Sequence, residues 1–139
     1  MRPPEEVLRE LVQQWIDKAE LDYQAAAQLL EAGDRLRQIV AFHCQQAVEK
    51  YLKAFLVRYQ VEFPKIHNLR QLLDLVSKVA PEIARSLDHC VVLTPYGADI
   101  RYPGDIPDLL PGQDKEALGL AHLARETILG ELKTFLAGG

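Results

Sequence analysis

The sequence is poor in the residues that staple or anchor a chain. It has two cysteines in 139 residues, Cys44 and Cys90. Neither stands beside a second Cys or a His cluster, so a disulfide framework and a zinc module are excluded and no metal or cofactor is expected. The expected setting is reduced and cytoplasmic. No apolar run approaches the roughly 20 residues that a membrane span requires. The opening MRPPEEVLRE is charged and lacks the apolar centre of a signal peptide. Positive charge is not in excess either: 16 Lys and Arg face 20 Asp and Glu, a net charge of −4. The chain therefore lacks the basic footprint of bulk nucleic-acid binding, although a local basic site stays open. A glycine-rich phosphate loop, a nucleophile elbow and a carboxylate pair at a defined spacing are all missing.

What is there reads as helix. One domain is expected from the length, with 48% apolar and 26% charged residues, the profile of a globular protein. From Pro3 and Pro4 to about Leu30, apolar residues such as Val12, Ile16, Ala19, Tyr23 and Ala26 keep helical spacing. Gly33 reads as a helix stop and Asp34 as the next cap. A second helix is expected from about Arg35 to Tyr59, antiparallel to the first. Its stretch Phe42 to Phe55 gathers Cys44, Ala47, Val48, Tyr51 and Phe55 on one face. Gln45, Gln46, Glu49, Lys50 and Lys53 fall on the other side and read as solvated. Asn68 or His67 caps a third helix with a Leu69, Leu72, Leu73, Val76, Val79 stripe, and Pro81 starts a short fourth. Val91 to Leu93 reads as a helix end or a buried connection. Thr94 to Gln113 holds four prolines and three glycines and reads as a long loop, of the kind that often carries function. Asp114 is the expected cap of the last helix, Lys115 to about Phe135. The fold class is all-α: an antiparallel bundle of four to five helices, with a long Pro-rich loop before the last.

Three groups of side chains are candidates for chemistry. His43, Gln46 and Lys50 lie at i, i+3 and i+7 on the second helix and together suit a phosphate or a base edge; the competing reading is a solvated helix flank. His67, following Pro64-Lys65-Ile66, suits either acid–base work or a hydrogen bond that holds a helix start. Arg101 and Tyr102, beside Tyr96 and Asp99, offer a guanidinium fork and a stacking ring, or else an internal ion pair and a buried anchor.

Four strings in order resemble one known family. Phe42-His43-x-Gln45-Gln46-Ala47-x-Glu49-Lys50-x-Leu52-Lys53-Ala54 looks like the hallmark of HEPN domains, the higher-eukaryote and prokaryote nucleotide-binding family. Trp15-Ile16-Asp17-Lys18-Ala19-Glu20-x-Asp22-Tyr23 resembles their opening helix. Pro64-Lys65-x-His67-Asn68-Leu69 resembles their connection into the third helix, and Arg101-Tyr102-Pro103 an element of their long loop. The match covers nearly the whole chain.

The resemblance implies a homodimer of helical bundles that binds a nucleotide or RNA. It also implies a minimal nucleotidyltransferase as partner, in a toxin–antitoxin-like pair. Many such domains are metal-independent ribonucleases in which Arg, separated from His by four to six intervening residues, stabilises phosphorane charge while His moves a proton. In this chain Arg101 has no following His until His122, and Arg85 and His89 stand one residue too close. Arg37 and His43 have the spacing but lie on the second helix, about 120° apart around its axis. The expected function is nucleotide or RNA binding, with Arg101, Tyr102, Lys65, His67, Gln46 and Lys50 as contacts. The alternatives are a ribonuclease using His43 and Arg37, and a purely structural dimerisation module. For the last, Phe42 lies about 160° from Cys44 and is expected to face a partner.

Overall fold

The computed structural model describes residues 3–97 and 108–138. Arg101, Tyr102, Asp99 and Pro103 lie outside the described residues. Among those described there are five α-helices and two 3-10 segments, and no strand. Helix α1 runs Pro4–Glu31, with Pro4 in its first turn and Glu5 and Glu6 at the positive end of its dipole. Gly33, at φ 117°, makes the turn that a side chain would resist. A single 3-10 turn, Asp34–Leu36, then leads into α2, Arg37–Arg58. Asp34 therefore does not cap α2; it opens the 3-10 turn, and its carboxylate pairs with Arg37 at 3.2 Å.

Helix α3, Leu69–Ser77, is capped as its sequence dictates: the Asn68 side chain accepts the Gln71 N–H. The helix ends at Ser77, so Val79 falls outside the stripe and is exposed. Pro81 opens α4, Pro81–Ser86, whose missing N–H costs nothing in the first turn. The chain then continues as a 3-10 segment, Asp88–Gly97, which buries Cys90 and Leu93. The connection at Val91 to Leu93 is thus helical, and the Pro-rich stretch gives up its first four residues to this segment. Helix α5 spans Gln113–Leu136. Its cap is Gly112, at φ 91°; Asp114 is already inside the helix, buried, with one oxygen 4.0 Å from Arg37 Nε.

Helix α2 is the axis of the bundle. It packs against α1, α3, α5 and the 3-10 segment Asp88–Gly97. Thirteen of its 22 residues are buried, and they include Gln45, Glu49 and Lys53. The side expected to be solvated is therefore largely inside. The reason lies in what surrounds it: neighbours on several sides leave only a narrow, partly exposed flank at His43, Gln46 and Lys50. Polar groups placed inside persist only when other polar groups meet them. Both cysteines are buried, and burial pushes each thiol up to about 12, so they are small apolar fillers rather than reactive groups.

Candidate functional site

The polar residues of α2 sort into two clusters on different sides of the helix. The first is closed. Gln45, Glu49 and Lys53 follow one another at four-residue intervals, which stacks them along one row. Lys53 Nζ donates to Glu49 Oε2 at 3.0 Å, and the Gln45 amide donates to Glu49 Oε1 at 3.2 Å and to the His67 carbonyl at 3.1 Å. His67 Nδ1 lies 2.9 Å from Glu49 Oε1. The Lys53 ammonium also sits 5.5 Å from the Trp15 ring and 5.6 Å from the Phe63 ring, within cation–π range. Gln46 belongs here too, since its amide donates to Gln45 Oε1 at 2.8 Å. A Cβ on Gly97 would come within 2.3 Å of the Gln45 side chain, so the 3-10 backbone seals this cluster only as glycine. Side-chain exposure is 3% at Glu49 and 8% at Lys53. This is a satisfied internal ion pair that ties the 59–68 connection to α2.

The second cluster is half-open. His43 and Lys50, two turns apart, both reach Asp22 of α1. His43 Nδ1 lies 2.8 Å from Asp22 Oδ1, and Lys50 Nζ donates to the other oxygen. Exposure here is 27% at His43, 23% at Lys50 and 13% at Asp22. Because a carboxylate only accepts, the proton on His43 sits on Nδ1 and the basic lone pair on Nε2. Lys50 keeps donors beyond the one that Asp22 takes. Phe42 packs edge-on against His43, with ring centroids 5.3 Å apart. The arrangement presents an ammonium, an oriented imidazole and an aromatic edge on one small surface.

A third group lies where α1, α2 and α5 meet. Arg125 grips Glu20 with two bonds, at 2.7 and 3.0 Å, and Tyr51 donates its hydroxyl to the same carboxylate. Burial pushes the Glu20 carboxyl up, but the bonds from Arg125 and Tyr51 outweigh it and hold the group below its ordinary range. Burial, and then the bond to Glu20, push the Tyr51 phenol well above its ordinary value, so it stays protonated. Arg125 also lies 5.2 Å over the Tyr23 ring, whose hydroxyl meets His122 Nδ1 at 3.0 Å.

Comparison with known families decides the lineage. A family model described as the HEPN domain matches residues 12–130. The chain belongs to the HEPN family. No similar protein emerges from comparison with curated proteins or with solved structures. In this HEPN chain Arg37 and His43 do not meet: Arg37 turns to Asp34 and towards Asp114, while His43 turns to Asp22. His43 and Lys50 are brought together, and Gln46 and His67 join the closed cluster instead. Lys65 is exposed on the connection that His67 anchors. Asp22, which organises the open cluster, was not among the expected contacts. Its signal was present in the HEPN-like string from Trp15 to Tyr23, which carries Glu20 and Asp22 two residues apart and so on different flanks of α1. Among the described residues no group of His, Cys, Asp and Glu could hold a metal ion, and no helix is long and apolar enough to cross a membrane.

Proposed function

We propose that this HEPN domain binds a nucleotide or RNA at the surface carrying Asp22, His43 and Lys50. One observation carries the reading: a single carboxylate holds a lysine and a histidine side by side at a partly open face. Lys50 meets a phosphate as a point charge, and His43 Nε2 accepts from a ribose hydroxyl or, when protonated, donates to phosphate. Arg101, Tyr102 and Lys65 complete the contact set, with Arg101 as the bidentate phosphate group. The test is fluorescence anisotropy of a labelled oligouridine with the wild type, Lys50→Ala and Arg101→Ala. Both variants are expected to bind more weakly; unchanged affinity in both removes the site.

The same reading includes a minimal nucleotidyltransferase as partner in a toxin–antitoxin-like pair, and a second copy docked over the face that carries Phe42. Co-expression with a minimal nucleotidyltransferase should give one gel-filtration peak containing both chains. Phe42→Glu should shift the domain alone to a smaller species, and an unchanged elution volume would reject that interface.

A second reading, metal-independent ribonuclease, draws on His43 in particular. Its Nδ1 bond to Asp22 is what a general base needs to present Nε2 to a 2′-hydroxyl. The Arg partner of that chemistry is then Arg37 or Arg101 of another subunit. Cleavage of a tRNA pool in excess chelator, lost in His43→Ala, would establish it; intact RNA with folded wild type would leave the binding role.

A further inference from the structure

Away from the three polar clusters, the 3-10 segment Asp88–Gly97 and the start of α5 form a half-open pocket of about 250 Å³. Its walls are mixed: Val92 and Leu93 stand beside His89 on the segment, and Ala117 and Leu120 beside polar residues on the helix. Tyr96 follows Leu93 by one 3-10 turn and adds an aromatic ring. Gln113 and Glu116 follow the same α5 face, three residues apart. The Leu110 N–H donates to Gln113 Oε1 at 2.7 Å, which fixes the amide and leaves its NH₂ as a donor. Glu116 brings a carboxylate, an acceptor with two oxygens.

We propose that this pocket is a recognition site for a guanine base. The volume falls just under the roughly 300–1,000 Å³ of sites for drug-sized ligands, which suits a single heterocycle. The polar pair then selects among heterocycles. Guanine presents an acceptor, O6, beside two adjacent donors, N1–H and N2–H. Gln113 supplies the donor for O6, and the two oxygens of Glu116 take the two donors. Adenine offers one donor beside a bare ring nitrogen and leaves a carboxylate oxygen unmatched. Tyr96 and the leucines face the ring, because stacking and apolar contact serve every base. The inference rests on the nucleotide-binding reading above and assigns it a second, base-selective site. The base comes from a free guanine nucleotide or from an unpaired guanosine in RNA.

The test is titration calorimetry of the full chain with GMP, IMP and AMP, and with oligouridine either plain or carrying one central guanosine. GMP or the guanosine-containing oligomer is expected to bind, the first result naming the free nucleotide as source and the second naming RNA. IMP, which lacks the N2 amino group, should bind about tenfold more weakly, the size of one lost charged hydrogen bond. Glu116→Gln, an exposed change that leaves the fold intact, should remove the preference for GMP over AMP. Absence of guanine binding at millimolar concentration, or binding that ignores both the N2 group and Glu116, would overturn the pocket. Plain oligouridine separates the two claims: if it binds and guanine does not, only this pocket fails, and if neither binds, the broader reading falls as well.

Discussion

Helix α2 carries two lysine–carboxylate pairs that look alike in sequence and differ in everything physical. Lys53 and Glu49 are on the same helix, almost fully buried, roofed by Trp15 and Phe63 and closed by Gly97. Lys50 and Asp22 join two helices at a surface where each keeps some exposure, with His43 as a third member. A buried pair costs desolvation that internal partners must offset, and here both Glu49 oxygens accept bonds from the protein while the Lys53 ammonium lies between Glu49 and two aromatic rings. The second pair leaves donors and a lone pair unspent. The same chemistry therefore serves architecture on one side of a helix and contact on the other, and exposure decides which.

The sharpest way to break this contrast is at Glu49. Glu49→Ala leaves the Lys53 ammonium in a dry site without its acceptor and removes one of the two acceptors of the Gln45 amide. Stability should fall by about 3–5 kcal/mol, read from the urea midpoint at constant slope. A small loss would mean that water enters and that the cluster is not closed.

Next in size is Glu20, which is as exposed as the open pair but has its carboxylate held by two bonds from Arg125 and one from Tyr51. It titrates lower in the folded chain than in the unfolded one, so the folded state holds fewer protons there. Its contribution is present above the ordinary carboxylate value of 4.5 and is lost as pH falls through the lower folded value. Glu20→Gln should cost about 1.5–3 kcal/mol at neutral pH, as charged hydrogen bonds do, and should flatten the acid limb of the stability profile below about pH 4.5. A profile unchanged in the variant would assign the acid sensitivity elsewhere.

The smallest stability effect is expected at Lys50. Lys50→Ala should change folding stability by no more than about 1 kcal/mol, because the pair is partly solvated. It should lower the slope of log affinity against log salt for oligouridine by about 0.7, the signature of one lost phosphate contact on a single strand. A large stability loss with an unchanged slope would make this pair architectural, like its neighbour.

Much of the fold was legible because punctuation is local. Gly33, Asn68 and Pro81 each act through their own backbone, and each stands where its chemistry requires. Asp34 and Asp114 misled for a related reason: an acidic residue near a helix start suits a cap, but both found Arg37, which only the fold brings between them. The interior of α2 was less legible. Periodicity sorts residues by type and cannot see that Glu49 will meet His67 across 18 residues, or that Asp22 will meet Lys50 across 28. Polar residues turn inward when distant partners satisfy them, and that information lies in tertiary packing. The HEPN-like strings did register it indirectly, since they contain Asp22, Gln45, Glu49 and Lys53 together.

The most direct measurement compares the two sides of α2 as RNA contacts. Oligouridine binding by Lys50→Ala and by Lys53→Met, a change that keeps the apolar stem of the buried residue, would be measured on folded protein across salt concentrations. The account predicts weaker binding and a shallower salt slope for Lys50→Ala alone, with Lys53→Met matching the wild type. Equal loss in both, or loss only in Lys53→Met, would contradict the division between a closed architectural cluster and an open contact cluster.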